Sequence, residues 1–133
     1  VTRRIINPPQ LVLPTGFAHA VAAGPFVYLG GQTALNKQGE IVTGGIVAQF
    51  VQAFTNVLTA LTAAGGRPTD IVDMTLYLTD IPDYQAHGKE IGERWRELAG
   101  NEYPAMAGVG VTALWQPEAL IEIQAVAYIG ERA

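Results

Sequence analysis

Leu120-Ile121-Glu122-Ile123-Gln124-Ala125-Val126-Ala127-Tyr128-Ile129 alternates residue by residue. A period of two marks a β-strand whose faces meet different surroundings. Ile121, Ile123, Ala125, Ala127 and Ile129 make one apolar face, while Glu122, Gln124, Val126 and Tyr128 make a mixed one. Upstream, Trp115-Gln116-Pro117-Glu118 is a turn with its own proline, and a further extended run covers Ala105 to Ala113. The decisive question is what covers each face of such a strand.

Only two segments carry helical periodicity. From Ile46 to Ala64, Val47, Phe50, Val51, Phe54, Val57, Leu58 and Leu61 recur at offsets of three and four, and Gly65-Gly66 with Pro68 ends the pattern. After Asp80, a fitting cap with Pro82 in the first turn, Tyr84, Ile91, Trp95 and Leu98 share one stripe until Gly100-Asn101. Gly88 and Gly92 within that helix suggest close packing or a ligand beside it. Between the helices Asp70 to Thr79 alternates, with Val72, Met74, Leu76 and Leu78 on one side. Towards the N-terminus, Arg3 to Asn7 reads as a short edge strand before Pro8-Pro9. Phe17, His19 and Val21 then begin a hairpin that turns at Gly24-Pro25 into Phe26-Val27-Tyr28-Leu29. The order is βββαβαββ, an α+β chain of one domain over residues 1–133 with two helices on one face of a mixed sheet. The opposite face still presents Tyr28, Val126, Tyr128 and the small residues Ala107, Gly108 and Gly110, so symmetric self-association is expected.

Composition narrows the function. With 49% hydrophobic and 15% charged residues, and a mean hydropathy of +0.20, the chain suits a compact core with apolar surface to spare. Lys plus Arg number 8 against 12 acidic residues, a net charge of −4, which disfavours nucleic acid and anionic lipid as partners. There is no Cys, and His19 and His87 lie far apart, so neither a disulfide framework, a thiolate nucleophile nor a metal-ligand spacing is present. Arg3 and Arg4 are not followed by an apolar signal region, and no uninterrupted apolar run approaches the ~18 residues of a membrane span. A cytoplasmic location is the expectation.

Several segments in order resemble the Rid (YjgF, reactive intermediate deaminase, L-PSP endoribonuclease-like) family: Gly16-Phe17-Ala18-His19-Ala20-Val21, Gly30-Gly31-Gln32, Ala63-Ala64-Gly65-Gly66, Asp70-Ile71-Val72, Tyr103-Pro104-Ala105 and Ile121 to Ala127. Each is weak alone, but the ordered set runs from about Pro14 towards the C-terminus and is specific. The resemblance implies a chorismate-mutase-like subunit of a homotrimer whose sheets form a central barrel, with small-molecule pockets between neighbours. It also implies hydrolysis of reactive enamines and imines, such as those released by pyridoxal-phosphate enzymes, to a ketoacid and ammonia, with no metal and no cofactor.

That reaction needs an anchor for the substrate carboxylate, a contact that polarises the C=N bond and a group that positions or deprotonates water. The resemblance gives the last role to Glu122, and a carboxyl at a strand centre in a cleft would have its pKa raised by desolvation. The backbone N–H of Gly31 is the candidate polarising contact, with Gln32 beside it and an apolar lining of Phe17, Tyr84, Met106 and Trp115. Trp115 fits either a pocket or an interface. Deaminating members carry an arginine after the Pro-Ala pair, where this chain has Met106. Arg94 and Arg96 lie on the second helix, Arg67 in a loop, and Arg3, Arg4 and Arg132 near the ends. Phe17, Gly30 and Gly88 likewise replace an aromatic hydroxyl, a Ser and an Asn common in the family. His19 is read as a packing and hydrogen-bonding residue, His87 as solvated, and Trp95 as core. Two functions stay open: a deaminase-type hydrolase of non-standard specificity, and a non-catalytic trimer that binds or senses an apolar small molecule. Ribonuclease activity, sometimes attributed to the family, is opposed by the pI of about 5.0.

Overall fold

Alternating sequence becomes a six-stranded mixed sheet in the computed structural model, which describes residues 2–130 and leaves Arg132 outside. The strands are β1 (Arg3–Ile6), β2 (Ala20–Ala23), β3 (Phe26–Gln32), β4 (Ile71–Leu78), β5 (Ala105–Gly110) and β6 (Ile121–Tyr128), laid side by side as β1-β2-β3-β6-β4-β5. All neighbours are antiparallel except β4 and β5. The helices α1 (Gly45–Ala63), α2 (Ile81–Ala86) and α3 (Gly88–Ala99) supply the second layer. The cleanly alternating strand, β6, thus stands inside the sheet between β3 and β4. Its Ile121, Ile123, Ala125 and Ala127 are buried beneath α1, and Gln124 and Tyr128 are exposed on the other side.

The single helix expected after Asp80 is two. Asp80 caps α2 by accepting the Asp83 N–H at 3.0 Å. His87 then leaves helical geometry (φ −107°, ψ 15°), and its N–H is shared between the carbonyls of Asp83 and Tyr84. Gly88 starts α3 with nothing within 4 Å of where a Cβ would be, so it marks this restart rather than close packing. His87 is exposed and its Nδ1 donates to Asp83 O at 2.9 Å. Trp95 is core, as its stripe implied: it stacks on Phe54 at 4.5 Å and on Tyr103 at 5.3 Å.

Two strands also depart from simple alternation. In β4 the pairing with β6 slips between Ile71 and Asp73, so Ile71 is buried and Val72, expected inside, is exposed. The first hairpin strand begins at Ala20 rather than Phe17, because residues 15–19 bend across the end of the sheet. β5 also stops at Gly110, short of Ala113. Helix α1, at 19 residues and a mean hydropathy of 1.4, is long and apolar enough to cross a membrane by those two measures. Its Phe50, Ala53, Phe54 and Val57 are fully buried against the sheet, the packing of a core helix.

Candidate functional site

A bulge in β3 creates the site. Leu29 pairs with Ala125, and pairing resumes with Gln32 opposite Ile123, so β3 carries one more residue than β6 across this step. The extra length falls at Gly30-Gly31, and each glycine leaves room for a different neighbour. The Gly30 N–H donates to His19 O at 2.9 Å, and a Cβ there would approach Ala18 O to 2.8 Å. A Cβ on Gly31 would overlap the carboxylate of Glu122. Glu122 therefore lies directly over the backbone of the bulge, on the face of the sheet away from the helices.

This carboxylate forms part of the lining of an open cleft of about 530 Å3. One wall is Gly31 and Gln32 at the end of β3 with Thr33 just beyond it, another the segment from Val12 to Phe17, and a third the turn holding Trp115 and Gln116. Glu122 is half-buried, and burial raises its carboxyl pKa above the usual value. No described residue gives that carboxylate a hydrogen bond or an ion pair. Among the described lining residues it is the one carboxylate, and there is neither Lys nor Arg. The mouth is apolar: Leu13 is 86% exposed, Trp115 91% and Phe17 52%.

His19 braces the cleft from within. It is buried, and its Nε2 lies 2.8 Å from Val12 O. A carbonyl only accepts, so Nε2 carries the proton, and the neutral ring's Nδ1 accepts from the Gln32 amide at 2.9 Å. One imidazole thus ties the Val12 segment to β3, with Phe17 edge-on at 5.2 Å. The opposite wall is pinned by Thr33, whose hydroxyl donates to Gln116 Oε1 at 2.7 Å.

Of the residues singled out from sequence, Phe17, Gly31, Gln32, Trp115 and Glu122 meet in this cleft. Tyr84 and Met106 do not. Tyr84 sits on α2, packed against the core, where burial raises its hydroxyl pKa. Met106 lies on the edge strand β5 opposite Met74, with β4 intervening between it and β6. Sequence reading had passed over Val12, Leu13, Thr33 and Gln116. Thr33 and Gln116 had a visible cue, since each adjoins a residue already singled out, whereas Leu13 had none.

The family model for endoribonuclease L-PSP matches residues 11–129. The chain belongs to this family, the Rid or YjgF family. A RutC family protein of Pyrococcus horikoshii is 36% identical over 123 residues, covering 92% of each chain. A protein of Dermatophagoides farinae named 2-iminobutanoate/2-iminopropanoate deaminase is 33% identical over 129 residues, 96% of this chain and 97% of that one. Among solved structures, the YjgF gene product of E. coli superposes with a TM-score of 0.85 at 28% identity, covering 94% of this chain and 98% of the other. The chorismate-mutase-like α+β fold is therefore the family fold, and family members include proteins named as imine deaminases.

Proposed function

We propose that this Rid-family protein hydrolyses a reactive imine or enamine, with Glu122 positioning and deprotonating the attacking water. The observation that carries this reading is the half-buried carboxylate lying over the Gly31 backbone in an open cleft, with no partner among the described residues and a pKa raised by burial. A carboxylate spared from ion pairing and partly desolvated is a stronger base than one in water.

In the proposed reaction the water oxygen attacks the C=N carbon while its proton passes to Glu122. The C=N electron pair moves to nitrogen, and the Gly31 N–H polarises the substrate during the attack. Glu122 passes that proton to nitrogen, giving a carbinolamine, then takes the carbinolamine hydroxyl proton and delivers it to the same nitrogen, so that the C–N bond breaks with ammonia leaving as the carbonyl forms. One imine and one water thus give one carbonyl compound and one ammonia, with no change in oxidation state. An enamine enters the same path after tautomerising to its imine. Gln32 is fixed by His19 and shapes the cleft floor.

The protein acts in this reading as a homotrimer in which a neighbour closes the open cleft, bringing its own Met106 strand and α2 towards the site. The cation-free lining supports substrates without a carboxylate, in contrast to the 2-imino acids in the Dermatophagoides relative's name. The test is turnover of small imines by the protein, its Glu122→Gln variant and its Met106→Arg variant. Loss of turnover is expected in the first variant and gain of carboxylate-bearing substrates in the second; an unchanged rate in Glu122→Gln removes the assignment. A non-catalytic binding trimer is favoured by the apolar mouth, and saturable binding of ligand recovered intact, with no imine turned over, would establish it.

A further inference from the structure

The cleft mouth is built in a way that the hydrolytic reading does not use. Trp115 is 91% exposed and Leu13 86%, the two largest exposures among the large hydrophobic side chains described. The backbone segments that carry them are tied by hydrogen bonds. Around Trp115, Gln116 is held by Thr33 at 2.7 Å, Ala119 N–H donates to Gln116 O at 3.0 Å, and Gln49 of α1 donates to Glu118 O at 3.0 Å. Beside Leu13, the Val12 carbonyl is fixed by the buried His19 at 2.8 Å. Two apolar side chains are thus presented to water on hydrogen-bonded supports, on opposite walls of one cleft, with Phe17 nearby.

Burial of a Trp face and a Leu is a large favourable term, and a rigid support removes most of the entropy cost of using it. The electrostatics specify what fits. The floor carries one carboxylate and no cation, so a ligand carboxylate would face Glu122 uncompensated, whereas a neutral or protonated imine would not. The share of the site that one chain supplies, an open cleft of about 530 Å3, has room at its mouth for a ring beside the C=N unit.

We infer that Trp115 and Leu13 are specificity-determining residues that clasp a ring-bearing apolar substituent, and that the substrate is the carboxylate-free imine of an arylalkyl primary amine. This rests on the hydrolytic reading for the word substrate, but the selectivity itself is a binding property. The reaction class that supplies such a compound is dehydrogenation of a primary amine, in which the C–N unit loses two electrons and two protons to an electron acceptor such as a flavin or quinone. Hydrolysis here then yields an aldehyde and ammonia.

The test uses binding, so that it stands apart from turnover. Phenylacetamide, phenylacetate and acetamide are titrated into the protein while tryptophan emission and its quenching by iodide are followed. The chain has two Trp residues, and Trp95 is buried between Phe54 and Tyr103, so iodide-accessible emission reports Trp115. Iodide quenches the free protein, and phenylacetamide shields it and binds about tenfold or more tighter than either other probe. Trp115→Ala and Leu13→Ala each reduce the phenyl-over-methyl preference by about tenfold, with Trp115→Phe retaining most of it. Three results overturn the inference: phenylacetate binding tighter than phenylacetamide, a phenyl preference intact in both alanine variants, or emission already shielded from iodide without ligand, which means a second copy covers Trp115. If Glu122→Gln leaves hydrolysis unchanged while the phenyl preference holds, the hydrolytic role of Glu122 fails and the clasp stands.

Discussion

A methyl group added at Gly31 would occupy the space of the Glu122 carboxylate. What it meets is the end of a flexible side chain, so the carboxylate swings away and the fold survives. Gly31→Ala is expected to cost less than about 1 kcal/mol in urea unfolding yet lower kcat/KM about 100-fold, because catalysis tolerates little misplacement. Glu122 also sets a pH dependence. As the base it must be ionised, and since burial raises its pKa, the rising limb of kcat/KM is displaced upward from that of an ordinary glutamate and rate is lost as pH falls through the raised value. That limb disappears in Glu122→Gln. Stability moves the other way: a carboxyl with a folded pKa above its unfolded one binds its proton more tightly when folded, so native stability declines as pH rises from the unfolded through the folded value. Glu122→Gln therefore melts higher than the parent at pH ~8 and equally at pH ~4. Glu122 and the glycines were legible from the ordered family segments. The reason for Gly31 was not, because it depends on a bulge that brings two strands into contact.

At the level of elements, α1 does more than fill the core. Its buried Gln49 donates to Glu118 O and accepts the Leu120 N–H at 2.8 Å, and its buried Asn56 donates to Thr33 O at 3.2 Å and Leu35 O at 2.9 Å. One helix thereby holds the segments on both sides of the cleft. Gln49→Ala leaves the part-buried Glu118 carbonyl and Leu120 N–H without this partner and is expected to cost about 1 kcal/mol, read as a lower urea midpoint. It should also weaken ligand binding by loosening the Trp115 turn. Periodicity found α1 within a residue at either end, since nine of its residues are buried on one broad face. It could not assign Gln49 and Asn56 to that face, because a polar residue counts against burial until its partners are known. For the same reason the slip at Val72 and the break at His87 were invisible: both depend on hydrogen bonds between segments far apart or on one local turn, rather than on the pattern of apolar residues.

The whole molecule leaves one side of its sheet without a layer. Tyr28 is 51% exposed and Tyr128 50%, and Phe26 packs edge-on against Tyr128 at 5.4 Å, an aromatic surface that suits burial against further copies. For the proposed homotrimer, light scattering should give three times the 14.2 kDa chain mass, and Tyr128→Lys should shift it towards the monomer and make the melting temperature depend on protein concentration. The need for self-association was legible from the two faces of residues 121–129, but no single chain can show how copies meet. Strand β5 adds a different demand. Its six residues Ala105–Gly110 are all exposed, contain no charge and no proline, and stand at the end of the sheet with one side unpaired. Such an edge is a template for further strands, which natural proteins usually blunt with charge or proline. A lone chain thus offers this edge for strand addition, and the faster the proposed homotrimer forms, the shorter the time that a lone chain spends at risk of polymerising.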